Sequence, residues 1–358
     1  MKILSSKRKI WLDNKVRRHW LLSVKSARES GRPDATGANR LRVCIMTVPR
    51  LLIAEKQEQR SEILSVITQV HDRLSSGCYR VKLDFSKVEK IFPGGMLVLL
   101  AAMERLAARY PYRISARCPP NSLAAQLMSH FGLAQKFGIN PKMSKPKASS
   151  VIEWRYLTGT QAAGEEVKEL LDKYRIETNA EIPEGLFAVL TEGLTNVRHH
   201  AYTEDTELPE GLRKWWLFAK YAEPKGKEQG NLFISIYDMG AGIPATMRNK
   251  LKKREVVIDW IDKATELTTM ANGTALDKRL IQAAVEHKRS QTGQPHRGNG
   301  LPEMREFVAA TSEGRLHIVS GQAQYSFLSG KNDGHVDGFK QKFPGTLLLW
   351  SLPIRAKE

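Results

Sequence analysis

The chain has 358 residues, of which 41% are hydrophobic and 26% are charged, and it carries a formal net charge of +18. The length suits about two domains, and the composition excludes a collagen, a coiled-coil rod and a wholly disordered chain. The three cysteines form no CxxC pair, so we expect neither a disulfide framework nor a cysteine-based zinc site. The sequence has no run of about 18 apolar residues and no secretory leader pattern, which predicts a cytoplasmic protein without a membrane span.

The positive charge is concentrated at the amino terminus. Residues 1–42 hold twelve Lys and Arg residues against three Asp and Glu residues, and the apolar residues among them have roughly helical spacing. We therefore expect a basic arm over residues 1–40. Such an arm is typical of nucleic-acid binding, and a solvated tail is the alternative.

Residues 41–140 alternate between strand and helix patterns. Strands are predicted at 41–46, 79–85 and 112–117, and helices at 56–74, 94–110 and 122–133. This alternation predicts a sheet covered by helices. The next ten residues, 141–150, are rich in Pro, Ser and Lys and are predicted to be a linker.

Residues 151–358 form a second predicted domain. Strands are predicted at 151–157, 214–223, 231–238, 315–320 and 345–353, helices at 161–174, 182–202 and 302–310, and a long polar segment at 245–296. The predicted fold class is therefore α/β and α+β in two domains.

The predicted helix 182–202 carries the first motif with a chemical interpretation. Glu192, Asn196 and His200 are four residues apart, so they share one helix face. Burying three such groups is unfavourable unless they have partners. A carboxylate beside an amide oxygen suits a hard cation with its bound water or phosphate. A solvent-facing polar stripe is the alternative.

Two glycine motifs follow. Asp238 ends a predicted strand and precedes Gly240 and Gly242; an aspartate there can accept a hydrogen bond from an amine, and the glycines allow close approach of a ligand. Gly298 and Gly300 precede a predicted helix, whose first N–H groups favour an anion. Alone, the Asp238 motif is most often a tight turn, and the Gly298 motif is about as often an ordinary helix-entry turn. Gly345 and Thr346, which enter the last strand, say little by themselves.

These four elements, in this order and structural setting over residues 150–356, resemble the GHKL ATPase family, which has the Bergerat fold. The resemblance implies ATP and Mg²⁺ as ligands and an ATP lid over residues 245–296. It implies the following roles: Asn196 coordinates Mg²⁺, Glu192 is the general base, Asp238 binds the adenine amine, Gly240 and Gly242 close around the base, Gly298 and Gly300 contact the phosphates, Thr346 lies behind the adenine, and His200 belongs to the nucleotide site.

The pattern E-G-L-T-N-x-x-x-H-A-Y at residues 192–202 is most similar to the anti-sigma-factor serine kinases. The sequence ends soon after the last predicted strand, so we expect no transducer or middle domain of the kind found in gyrase-like, mismatch-repair and chaperone members. No phosphoacceptor-histidine helix pair precedes the motif, which argues against a sensor histidine kinase. GHKL domains often pair, so a homodimer is an open expectation.

Residues 41–140 resemble a STAS domain, the fold of the antagonists that those kinases phosphorylate. The resemblance lies in the stretches 84–106 and 127–139. Where the antagonists read D-S-S-G, this chain reads Phe92-Pro93-Gly94-Gly95, so Gly94 occupies the position of the phosphorylated serine and offers no hydroxyl. Ser86 is the nearest alternative acceptor. We therefore interpret this domain as a docking or regulatory module.

The sequence thus predicts a STAS-like βα sheet-and-helix domain followed by a Bergerat α/β sandwich. The expected function is a Mg–ATP-binding signalling protein whose ATPase switches the STAS-like domain or a protein partner. Two alternatives stay open. One is a serine/threonine kinase acting in trans on a STAS-domain or sigma-like regulator. The other is a nucleic-acid-binding regulator that uses residues 1–40.

Overall fold

The computed structural model describes residues 43–120, 122–131, 137–138, 154–161, 164–178, 181–197, 201–202, 213–223, 229–252, 273–286 and 300–354. These residues form eight helices and ten strands in three sheets, a mixed α/β architecture, and all belong to one unit of the chain, Val43–Glu358. None of the described helices is long and apolar enough to span a membrane. The predicted arm 1–40 and linker 141–150 lie outside the described residues.

The helices are, in chain order, α1 (Gln57–Ser75), α2 (Pro93–Arg109), α3 (Leu123–His130), α4 (Gly164–Thr178), α5 (Leu186–Asn196), α6 (Ile243–Lys252), α7 (Thr274–Glu286) and α8 (Gly300–Ala310). The strands are β1 (Val43–Thr47), β2 (Leu51–Leu52), β3 (Arg80–Asp84), β4 (Lys90–Ile91), β5 (Ile114–Arg117), β6 (Trp154–Gly159), β7 (Trp215–Ala222), β8 (Gly230–Asp238), β9 (Arg315–Leu328) and β10 (His335–Ile354).

The first sheet is parallel and consists of β1, β3 and β5 in that order, with Val43 opposite Arg80 and Val81 opposite Ile114. Parallel neighbours need crossover connections, and α1 and α2 supply them. The strands β2 and β4 form a short parallel pair of their own. This region, residues 43–138, is called the N-terminal part below.

The second sheet has five strands in the order β6, β7, β8, β10, β9, and every neighbouring pair is antiparallel. Successive residues of a strand point to opposite faces, and both faces of this sheet are buried. One face, with Trp216 and Tyr237, shares a core with α2 of the N-terminal part. The other face, with Trp215 and Ile236, shares a core with α5, α7 and α8. The sheet therefore lies between two helical layers.

Helix α2 is the layer on the first face, and its start packs especially closely. A Cβ atom on Gly94 would lie 2.6 Å from Leu349 Cδ2, and one on Gly95 would lie 2.6 Å from the backbone nitrogen of Ile53. Further along, the buried Glu104 carboxylate accepts the indole N–H of Trp216 at 2.9 Å. A buried carboxylate needs such a partner, so the pair fixes how α2 lies on the sheet.

A second buried polar contact joins α1 to the hairpin of β9 and β10. Arg60, which is 2% exposed, donates to the carbonyl of Ala54 and to Gln324 Oε1, both at 2.7 Å. Its guanidinium lies 4.5 Å from the ring centroid of Phe339. Burial lowers the pKa of Arg60 to about 10, against the opposing charge of Glu55. The N-terminal part is thus attached to the second sheet at two separate places.

The predicted elements are confirmed in type, with three corrections. The predicted helix 182–202 begins only at Leu186, because Gly185 before it has a φ of +86°, which is not helical. The polar segment 245–296 contains most of α6 and all of α7, and α7 belongs to the core. A lid over all of 245–296 is therefore wrong for residues 274–286. The last two strands extend to Leu328 and back to His335, forming one long hairpin.

Candidate functional site

Asp238 ends β8, and Thr346 lies directly opposite it on β10. Cross-strand partners project from the same face of a sheet, here the face covered by α5, α7 and α8. Asp238 is only 4% exposed. It accepts the N–H of Gly240 at 2.8 Å and also the N–H of Thr346. An ionised carboxylate has about four acceptor positions, so Asp238 keeps capacity for a further donor.

Residues 239–243, which are the loop after Asp238 together with the first residue of α6, are held on one side by residues that follow α5. The N–H of Met239 donates to the Tyr202 hydroxyl at 3.1 Å, and that hydroxyl donates to the Lys214 carbonyl at 2.5 Å. The N–H of Ala241 donates to the carbonyl of Ala201 at 2.8 Å. Paired backbone groups of this kind fix a loop conformation.

On its other side the loop contacts Ser320, which is wholly buried on β9. Ser320 Oγ accepts the N–H of Ile243 at 2.9 Å, lies 2.9 Å from the Gly345 carbonyl oxygen, and lies 3.3 Å from Thr346 Oγ1. A Cβ on Gly242 would lie 2.8 Å from Ser320 Oγ, and the φ of Gly242 is +84°. Only glycine therefore fits at position 242.

Glu192 and Asn196 lie one turn apart on α5, beside the first residue of α8, Gly300. A Cβ on Gly300 would lie 2.7 Å from Asn196 Nδ2 and 2.6 Å from Glu192 Cγ. Asn196 Nδ2 is buried and has no hydrogen-bond partner among the described residues. The first N–H groups of a helix have no partner within it and carry partial positive charge. A carboxylate, an amide and a helix start therefore meet at one place.

Gly193 connects these two clusters. A Cβ on Gly193 would lie 3.1 Å from Ile236, 3.5 Å from Leu348 and 3.6 Å from Met304 of α8. Ile236 is two residues before Asp238, and Leu348 is two residues after Thr346, so they point to the same face of the sheet. The residue next to Glu192 thus packs directly beside the strand pair that carries Asp238 and Thr346. Both clusters belong to one side of the sheet, opposite the face covered by α2.

The electrostatics of the site follow from burial. Burial raises the pKa of Asp238 to about 7, although the N–H groups of Gly240 and Thr346 act in the opposite direction. Burial also raises the pKa of Tyr202, and the charge of Asp238 adds to that rise. An ionised Asp238 is therefore poorly compensated by the surrounding residues. A ligand group that donates hydrogen bonds would stabilise this charge.

The structure places the predicted site residues in three groups. Glu192, Asn196 and Gly300 lie together, Asp238 pairs with Thr346, and Gly240 and Gly242 form the loop after Asp238. His200 and Gly298 lie outside the described residues. The sequence motifs indicate no role for Tyr202 or for Ser320. The signal for Ser320 is a small hydroxyl residue at the end of an apolar strand pattern, followed by Gly321, whose φ is +61°.

No protein-family model matches the chain, and no curated protein matches it.

Proposed function

We propose that residues 151–354 bind Mg–ATP in the manner of a GHKL ATPase and that the bound nucleotide controls the N-terminal part or a protein partner. The observation that carries the proposal is the meeting of Glu192, Asn196 and the start of α8 on the sheet face that also carries Asp238 and Thr346. Hydrogen-bond donors lie at one end of this surface, at the start of α8, and a hydrogen-bond acceptor, Asp238, lies at the other end.

Asp238 and the loop after it are suited to an adenine base. The carboxylate is buried, it is held in place by two backbone N–H groups, and it keeps acceptor positions for an amine. The hydrogen bonds to Tyr202, Ala201 and Ser320 hold the loop ready before any ligand is present. Such preorganisation favours binding because the loop loses less conformational entropy when the ligand binds.

The start of α8 is suited to phosphates. Gly300 is buried directly against the side chains of Glu192 and Asn196, and the helix start supplies N–H donors and positive partial charge. Mg²⁺ usually keeps several waters and takes one or two protein oxygen ligands together with the substrate phosphates. The Asn196 amide would supply one such ligand through Oδ1, while Nδ2, which is buried and has no partner among the described residues, would donate to a phosphate oxygen. In the described part, no group of three or more His, Cys, Asp or Glu residues is placed to hold a metal, so the protein would depend on the phosphates for further ligands.

Glu192 is the residue proposed to handle the proton. Its carboxylate lies beside Gly300, where it would accept a proton from an attacking water or hydroxyl group. Magnesium, when bound, would neutralise charge that develops on the phosphate oxygens. Asn196 would hold the metal, and the N–H groups at the start of α8 would orient the phosphates.

The N-terminal part, proposed to be STAS-like, is suited to docking and unsuited to accepting phosphate. Gly94 carries no hydroxyl and is enclosed by Leu349 and Leu347 of β10. It also lies on the face of the sheet opposite Glu192 and Asn196. Phosphoryl transfer to residue 94 of this chain is therefore excluded, because glycine has no hydroxyl group and because the residue lies on the opposite face of the sheet. A kinase of the anti-sigma-factor type would act in trans on a STAS-domain or sigma-like partner, and this is the second candidate function.

The excess of positive charge in residues 1–42 supports a third candidate, nucleic-acid binding through the basic arm. Binding to DNA or RNA that weakens steeply with salt, and that disappears when residues 1–40 are deleted, is the expected result for that function. Absence of binding at low salt would eliminate it.

The test of the main proposal uses the full chain with Mg²⁺ and γ-labelled ATP. Label released as phosphate indicates an ATPase, and label on protein indicates a kinase. Asn196→Ala and Glu192→Gln should abolish turnover, and Asn196→Ala should also weaken nucleotide binding. Asn332→Ala, at an exposed position in the turn between β9 and β10, is the matched control and should behave as wild type. Failure of the wild-type protein to bind ATP would refute the proposal.

A further inference from the structure

The hydroxyl groups next to Asp238 have a defined hydrogen-bond direction. Ser320 Oγ carries one proton and two lone pairs. It accepts the N–H of Ile243 and lies 2.9 Å from the carbonyl oxygen of Gly345, which can only accept. The Ser320 proton is therefore donated to Gly345.

The direction of the hydrogen bond from Ser320 to Gly345 determines the direction of the hydrogen bond between Ser320 and Thr346. Thr346 Oγ1 lies 3.3 Å from Ser320 Oγ. Because the Ser320 proton is already donated to Gly345, the bond between the two hydroxyls uses the proton of Thr346. The one proton and both lone pairs of Ser320 Oγ are then used in hydrogen bonds. Thr346 keeps only lone pairs for any other partner, so it acts as an acceptor.

Asp238 lies directly opposite Thr346 in the strand register and, when ionised, is also an acceptor. We propose that Ser320 sets the base selectivity of the nucleotide site by holding the Thr346 hydroxyl as an acceptor beside Asp238. This inference rests on the proposed ATP-binding function. Ser320 is a positioning residue, because it acts through Thr346 and is itself wholly buried.

The selectivity follows from matching donors with acceptors. Two neighbouring acceptors favour a base with an exocyclic amine, as in adenine. They oppose a base with a carbonyl at that position, as in hypoxanthine or guanine, because facing acceptors leave buried lone pairs unpaired. If the Ser320 hydroxyl is removed, the Thr346 hydroxyl can rotate and donate to a carbonyl. The preference for the amine should then decrease.

The test compares ATP with inosine triphosphate, which carries a carbonyl in place of the amine. Affinities of the full chain are measured with Mg²⁺ at pH 8, where Asp238 is mostly ionised, by competition against labelled ATP. The wild-type protein should prefer ATP by about 100-fold, and Ser320→Ala should reduce that preference by about tenfold. Thr346→Val keeps the shape and the backbone N–H that Asp238 accepts, and it should also reduce the preference.

Ser326→Ala is the matched control, because Ser326 is on the same strand and its hydroxyl lies 2.9 Å from His317 Nδ1, away from the loop 239–243. This variant should keep the wild-type preference. Thermal unfolding of every variant shows whether it is folded. If Ser320→Ala does not fold because the Ile243 N–H loses its acceptor, Thr346→Val alone decides the outcome.

Three results would overturn the inference, and they are distinguishable. If the wild-type chain binds neither nucleotide, the proposed ATP function fails and this inference fails with it. If the wild-type chain binds both equally, the function stands and the selectivity does not. If the preference for ATP persists unchanged in Ser320→Ala and Thr346→Val, other groups select the base and the role of Ser320 is wrong.

Discussion

Replacement of Asp238 by Asn should change how the stability of the protein depends on pH. Burial raises the pKa of Asp238 to about 7 from an ordinary value of 3.8. Between these two values the folded state holds a proton that the unfolded state has released. Stability therefore decreases as the pH rises across this range. The contribution is fully present below pH 4 and is lost as the pH passes 7.

The size of the effect follows from the same values. One pKa unit corresponds to about 1.4 kcal/mol. The folded state holds close to one extra proton at pH 5 and about half a proton at pH 7, so between these values the wild-type protein should lose about 2 kcal/mol of unfolding free energy relative to Asp238→Asn. Asparagine does not titrate, and all other titrating groups are common to both proteins. Their contributions cancel in the difference.

The assay is urea unfolding of both proteins at pH 5, 6, 7 and 8, followed by circular dichroism. The expected result is a difference in unfolding free energy that grows steadily in favour of the variant up to pH 7 and then levels off. A difference that stays constant within about 0.5 kcal/mol across this range would show that Asp238 is ionised throughout. That result would refute the conclusion that burial raises the pKa of Asp238.

Three further predictions concern packing and titration elsewhere. Glu104→Ala removes the acceptor of the Trp216 indole and should destabilise the fold by about 1–3 kcal/mol in urea unfolding, whereas Glu104→Gln, which can still accept, should cost less. Gly95→Ala places a Cβ against backbone and should also lower the free energy of unfolding by about 1–3 kcal/mol. Gly164→Ala is the control, because a Cβ there has nothing within 4 Å, and it should be neutral or slightly stabilising. Equal effects of the two substitutions would show that close packing at Gly95 is not the cause. Burial lowers the pKa of His317 to about 4, so wild-type stability should rise from pH 4 to pH 6.5 by up to about 3 kcal/mol more than that of His317→Gln, and parallel curves would exclude this contribution.

Much of the fold could be predicted because most elements have a clear hydrophobic period. The alternation in β3 and the helical stripe of α1 both indicate their structures directly. Helix α7 was missed although Leu276, Leu280 and Ile281 have helical spacing, because the polar composition around them dominated the interpretation. The extent of β9 was missed because Gly321, at a φ of +61°, interrupts the pattern while the strand continues beyond it.

The residues of the candidate site also differ in how far the sequence could predict them. Glu192 and Asn196 were predicted because spacing along one helix is a local property of the sequence. The pairing of Asp238 with Thr346 could not be predicted from a local pattern, because it joins positions more than 100 residues apart. The proposed role of Ser320 likewise depends on contacts with Ile243, Gly345 and Thr346, which lie 25 to 77 residues away in the sequence. No local pattern contains that information.

The burial of the second sheet on both faces has a consequence for dividing the protein into pieces. Removing residues 43–138 would expose Trp216, Tyr237 and Leu349, which the N-terminal part now covers. A contiguous apolar surface of this kind promotes self-association. Residues 151–354 are therefore not expected to stay monomeric when they are separated from the N-terminal part.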